Sequence, residues 1–192
     1  MKNFRLIFPF IIVCLSAIVW SCSDDDSVSE STDDFNRQAM LINWADNIII
    51  PSYQAFSSEV DALKAAVDTF ESQPNETNLN RVRQEWEQAY IAWQNVSMFN
   101  IGPTETTFLR SFINTYPTNV SRIDTNISTG SYALQSANAN DEQGLPALDY
   151  LLFGLAESDA QILEFYTSNV NSSNYINYLT DLVDRINTIT DQ

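Results

Sequence analysis

The chain has 192 residues, 44% of them hydrophobic, with 25 acidic against nine basic side chains and no histidine. That is enough apolar material for one or two compact domains, and it argues against disorder of the whole chain. Without histidine a single copy cannot build a Ser-His-Asp or Cys-His centre, an HExxH zinc site or an imidazole-ligated haem. A net charge of −16 repels phosphate backbones, so nucleic acid is not an expected partner.

Lys2 and Arg5 precede an apolar run from Leu6 to Trp20, which reads as an export leader over residues 1–21. About 15 apolar residues interrupted by Pro9 fall short of the roughly 20 that a membrane-spanning helix needs. Val19-Trp20-Ser21-Cys22 is similar to a bacterial lipobox, with Cys22 as the acylated first residue of the mature chain. Cys14 would leave with the leader, so no disulfide could form within one copy. Cys22 to Asp34 is dominated by Ser, Asp and Glu and reads as an acidic flexible tether. An acidic run directly after a lipidated cysteine also resembles a surface-export signal, which places the expected location at the outer membrane, facing the periplasm or the cell exterior.

From Phe35 the pattern is helical. Leu41, Trp44 and Ile48 form one stripe, and Tyr53, Phe56, Val60, Leu63, Val67 and Phe70 a second, with Pro51 predicting a kink or break between them. A turn over Ser72–Asn78, with Thr77 as a candidate cap, leads into a helix carrying Leu79, Val82, Trp86, Tyr90, Trp93 and Val96 on its apolar face. Arg81, Arg83, Glu85 and Glu87 are placed on its solvent face. Burial of its aromatic rings, each worth on the order of 2 kcal/mol, outweighs any exposed ion pair. Ile101-Gly102-Pro103 stops it.

Thr104 to Ile113 reads as one short helix, and Asn114 to Gln143 as polar loop with at most short helical turns. Gly144 to Gly154 sets Leu148, Leu151 and Leu152 on one helical stripe and turns Asp149 and Tyr150 away from it, so a carboxylate stands beside a buried face. Ser158 and Gln161 form a capping box for the next helix. The last helix starts near Ser173 and runs to the final residues, with a face that would need a partner if left uncovered.

Gly144, Asp149 and the Leu151-Leu152-Phe153-Gly154 run resemble the signature of the imelysin family (peptidase M75 superfamily), in which a GxHxxE pattern opens a helix that continues as LLxG. Trp86, Trp93, Gln94 and Gly102-Pro103 resemble a second family segment, and Tyr116-Pro117 with Ile123, Asp124 and Ile127 a third; the matches cover roughly Trp44 to Gly154. The resemblance implies an all-α, up-down helical bundle over residues 35–192, one half of a two-bundle family fold. It places the family's pocket at Gly144, Pro146, Asp149, Ser97 and Trp93. Pro146 occupies the histidine position and offers no donor, Ser97 stands where a glutamate is usual, and Asp149 reaches roughly 1.5 Å less far than a glutamate.

These departures lead to the expectation of a lipid-anchored binding or accessory protein linked, through the family, to iron or haem uptake, with no catalytic residue and no cofactor assigned. Asp149 is the one weak metal candidate; a hard cation such as calcium, held with Glu105 or Asp124, is the alternative occupant. The rival readings are a metallopeptidase with a remodelled site, and a helical half that pairs with a protein partner or a second half.

Overall fold

The computed structural model describes residues 34–191, so the leader, Cys22 and most of the acidic tether lie outside the described residues. The chain divides into two units, one ending at Arg37 and one running from Gln38. Of the first, Asp34–Asn36 has no regular structure, and the Arg37 guanidinium lies 5.8 Å from the centre of the Phe35 ring.

The second unit is an all-α bundle, and among the described residues there is no strand. Helix α1 (Arg37–Trp44) passes through a π-turn, Ala45–Ile49, into α2 (Ile50–Ser72). The interruption expected at Pro51 takes this form. The Ile50 N–H reaches back five residues to the Ala45 carbonyl, and Pro51 falls in the first turn of α2, where a missing N–H is tolerated. No residue between Arg37 and Ile49 is buried, and the Leu41, Trp44 and Ile48 stripe is about half exposed. The bundle proper starts at Phe56.

Asn75, rather than Thr77, caps α3 (Glu76–Val96): its side chain accepts the Asn78 N–H at 3.0 Å. The short link makes α2 and α3 an antiparallel hairpin, and theirs is the most extensive contact in the fold. The last helix, α9 (Ser172–Thr190), also runs antiparallel to α2. Ser57 pairs with Asp191, Asp61 with Asn187 and Lys64 with Asp184, so one number falls as the other rises. Tyr178, Leu179, Leu182, Val183 and Ile186 are thereby buried within the chain. The face of the last helix is covered; the apolar stripe left open belongs to α1.

Two side chains of α3 depart from the solvent positions predicted for them. Glu85 is only 8% exposed and lies 2.5 Å from Arg81. Arg83 turns inward, away from Glu87, to the segment after Gly144. The reason is angular. The buried residues of α3 centre on Val82, Ala89 and Val96, where small Ala89 and Ala92 let α2 approach, and at 100° per residue Glu85 falls inside that arc.

The single helix expected over Thr104–Ile113 is split into α4 (Pro103–Thr106) and α5 (Leu109–Ile113), because Phe108 between them adopts left-handed backbone angles with φ +54°. The segment read as loop contains α6 (Val120–Thr129). Asn119 caps it by accepting from Arg122 N–H at 3.2 Å, Ile123 and Ile127 anchor it, and Gly130 ends it in the left-handed region. A 3₁₀ segment (Ala137–Glu142), α7 (Gly144–Asp149), a π-turn (Tyr150–Gly154) and α8 (Asp159–Thr167) complete the chain before α9. Ser158 caps α8 as predicted, accepting the Gln161 N–H at 3.4 Å, but the Gln161 side chain accepts from the Ser158 hydroxyl, at 3.0 Å, rather than from its backbone N–H. No described helix is long and apolar enough to cross a membrane.

Candidate functional site: an aromatic cleft in front of α7

The start of α7 is fixed by a buried polar network. Glu142, 4% exposed, receives Arg122 at 3.0 Å and the Asn126 amide at 2.9 Å, while Tyr178 donates to its backbone carbonyl at 2.7 Å. A buried carboxylate would otherwise be strongly destabilising; here each oxygen has a donor. Next to it, the buried Gln143 amide donates to the Leu134 and Ala139 carbonyls.

Gly144 follows with φ +80°, packed directly against the backbone of Phe112 and Ile113. A Cβ at this position would meet the carbonyl oxygen of Ile113 and, at 2.5 Å, that of Phe112. Glycine is required here both by conformation and by space.

The π-turn after α7 loses ordinary helical hydrogen bonds, and its carbonyls are taken up by side chains. Arg83 donates through Nε (2.9 Å) and Nη2 (2.7 Å) to the Leu152 carbonyl, and Tyr166 donates to Leu151 at 2.7 Å. The same guanidinium pairs with Asp159 at 2.9 Å and covers the Phe153 ring at 4.8 Å. Trp86 Nε1 donates to the Leu145 carbonyl at 3.0 Å. Helix α3 thus holds both ends of the Gly144–Gly154 segment.

Pro146, Asp149, Tyr150 and Gly154 face a cleft of about 540 Å³. Trp86 and Tyr90, stacked with centroids 5.5 Å apart and planes at 21°, are also on its lining, as are Tyr116, Pro117 and Val120. Tyr150 lies close over Gly154, where a Cβ would come within 2.8 Å of its ring, and donates to Asp124 at 2.8 Å. Burial, and then that hydrogen bond, push its phenol well above the ordinary value. Asp149 has no hydrogen bond or ion pair among the described residues, and partial desolvation raises its carboxyl above the ordinary 3.8.

Of the residues singled out in the sequence, Pro146 and Asp149 therefore meet in one cleft. Gly144 is buried behind it as the hinge of the segment. Trp93 lies in the core, 2% exposed against Phe56, and Ser97 ends α3 with its hydroxyl on the Gln94 carbonyl. Neither lines the cleft. Asp124 is engaged by Tyr150, and Glu105 is exposed on α4. The residues present do not fit the metal centre implied by the family pattern: Pro146 has no donor atom, Ser97 is elsewhere, and no three Asp, Glu, His or Cys side chains converge among the described residues.

The sequence reading missed Trp86, Tyr90, Tyr116 and Tyr150 as cleft wall. Trp86 and Tyr90 are displaced roughly 60–100° from the centre of the buried face of α3, a shift visible once Ala89 and Ala92 are counted with the apolar side chains. Nothing in the local pattern marks Tyr116, which reaches the cleft only through the fold.

The described chain is thus an all-α bundle in which a glycine-opened, π-ending helix fronts an aromatic cleft. Residues 49–191 match the family described as Imelysin, peptidase M75, and the chain belongs to that family. It is 27% identical over 135 residues to iron-regulated protein A of Synechococcus elongatus, a match covering 66% of this chain and 36% of that protein. Its fold is similar to the crystal structure of a protein named as an iron-regulated protein A precursor from Parabacteroides distasonis, with a TM-score of 0.66 at 19% identity, covering 80% of this chain and 42% of the other. The chain thus spans less than half the length of either relative.

Proposed function

We propose that this chain is a binding or accessory protein of the bacterial cell envelope, lipid-anchored through Cys22 at the outer membrane, that serves iron or haem uptake with the cleft before α7 as its binding surface. The observation that carries the reading is the state of the family motif. The framework of the Gly144–Gly154 segment is held by Trp86, Arg83 and Tyr166, while the nitrogen-donor position is Pro146 and the remaining carboxylate faces an aromatic wall. Such a surface suits recognition of a ligand better than activation of a metal-bound water. The names of the two relatives support the link to iron.

A deletion strain complemented with the wild type, Cys22→Ser or a Tyr90→Leu/Asp149→Asn double variant tests this. Growth with haem or limiting iron should require the wild type, and a fatty-acid label should appear on the wild type and be absent from Cys22→Ser. Full growth of the deletion strain would overturn the uptake role, and an unlabelled wild type the anchor. The open stripe of Leu41, Trp44 and Ile48 favours a second reading, in which this helix packs on a protein partner. Sedimentation of the chain with envelope extracts, comparing the wild type with Trp44→Ser, checks it.

A further inference from the structure

Resting on the reading of this cleft as the binding surface of an accessory protein, rather than as the seat of the iron or haem itself, we propose that its ligand carries an organic cation, an ammonium or guanidinium group seated among Trp86, Tyr90, Tyr116 and Tyr150 with Asp149 as its counter-charge.

Four observations converge on that chemistry. First, four aromatic side chains line one cleft of about 540 Å³, a volume suited to a small organic group. Ring faces carry negative potential and attract cations by about 0.5–2 kcal/mol each, more as water is excluded. Second, Asp149 is the one charged side chain on the lining, and its carboxylate has no partner among the described residues. Third, no lysine or arginine lines the cleft. Arg83, on the same helix as the aromatic wall, is committed to the Leu152 carbonyl, Asp159 and the Phe153 ring. Fourth, the chain carries a net charge of −16, which draws cations toward any concave surface.

Other ligand classes fit less well. An anion would meet Asp149 with nothing to offset the repulsion. A neutral sugar would stack on Trp86 and Tyr90 and donate a hydroxyl to Asp149, but would leave the charge of that carboxylate unneutralised. A single metal ion would find one carboxylate and no use for the rings. The cation alone uses both features of the cleft at once.

Calorimetric titration of the purified chain with choline, with methylguanidinium and with 3,3-dimethylbutanol, the neutral isostere of choline, tests the proposal. At least one of the two cations should bind saturably, and the one that binds identifies the headgroup. The neutral alcohol should bind about tenfold more weakly or worse. Asp149→Asn should weaken the cation about tenfold without changing the alcohol, and Tyr90→Leu should weaken the cation alone. Circular dichroism should show both variants folded, since Asp149 and Tyr90 lie outside the core.

Equal affinity for choline and the alcohol, an unchanged cation affinity in Asp149→Asn, or no saturable cation binding would each overturn the inference. These outcomes are separate from the growth test above. A Tyr90→Leu/Asp149→Asn defect in haem-dependent growth without cation binding would keep the cleft as a binding surface and reject its ligand class.

Discussion

The phenol of Tyr150 donates a 2.8 Å hydrogen bond to Asp124, joining the π-turn that walls the cleft to helix α6. Two segments that the sequence presents as unrelated, a motif end and a polar stretch, are therefore mechanically coupled. The bond is solvent-exposed, so Tyr150→Phe should cost no more than about 1 kcal/mol in chemical denaturation. Its spectroscopic effect is larger. Ultraviolet titration of the phenols should show Tyr150 ionising well above the usual 10.0, and Asp124→Asn should bring that ionisation down but not fully back, because burial is the larger cause of the shift.

Gly144 has no tolerated replacement. Alanine would have to hold φ +80° and push its Cβ into the Ile113 and Phe112 carbonyl oxygens, which are backbone atoms at the end of α5. Gly144→Ala should lose about 3 kcal/mol or more, read as a lowered denaturation midpoint, and the damage should extend to the cleft.

Asp149 couples the cleft to pH. Its carboxyl is raised above 3.8 by desolvation, so between 3.8 and its folded value the native state holds more protons than the unfolded chain. Stability therefore falls as pH rises through that window, and the penalty is fully present at neutral pH. Asp149→Asn should raise the melting temperature slightly at pH 7, and the gain should vanish as pH drops below 3.8. A variant less stable than the wild type at pH 7 would contradict this account.

Equal apolar stripes should give unequal losses. Trp44 is 48% exposed on α1, whereas Phe56, three turns further along the same helical run, is fully buried against Trp93. Trp44→Ala should change unfolding free energy by less than about 0.5 kcal/mol and Phe56→Ala by about 3–5 kcal/mol, both measurable by urea denaturation.

That contrast also shows how far the sequence could be read. Periodicity located α2, α3, α8 and α9, because each buries one face, and α2, α3 and α8 are in addition opened by Pro51 or a capping side chain. The leucines of the Gly144–Gly154 segment pointed inward as their spacing required, and Asp149 outward. What periodicity could not supply was the partner of each face. The α1 stripe has the same spacing as the α2 stripe and no covering helix. Glu85 reads as a surface acid by type, yet its angle places it within the buried arc beside Arg81.

Helix α6 was missed for a different reason. Its ten residues are mostly Ser, Thr, Asn and Asp, poor helix formers, and tertiary contacts through Ile123, Ile127 and Arg122 override that preference. The site was half legible for the same cause. Pro146 and Asp149 are four residues or fewer apart on one short helix, whereas Tyr116 and Trp86 come to them from distant segments.

Trp86 stands between the cleft and a second hollow lined by Asn80, Arg83, Glu87 and Phe153, and contributes its indole to both. The protein thereby carries an intrinsic optical probe at the wall in question. Occupation of either hollow perturbs the emission of Trp86, while Trp93, sealed in the interior, and Trp44, which lines neither hollow, supply the background. Subtracting the spectrum of a Trp86→Phe variant isolates that signal, so unlabelled protein can be screened directly against mixtures of small molecules.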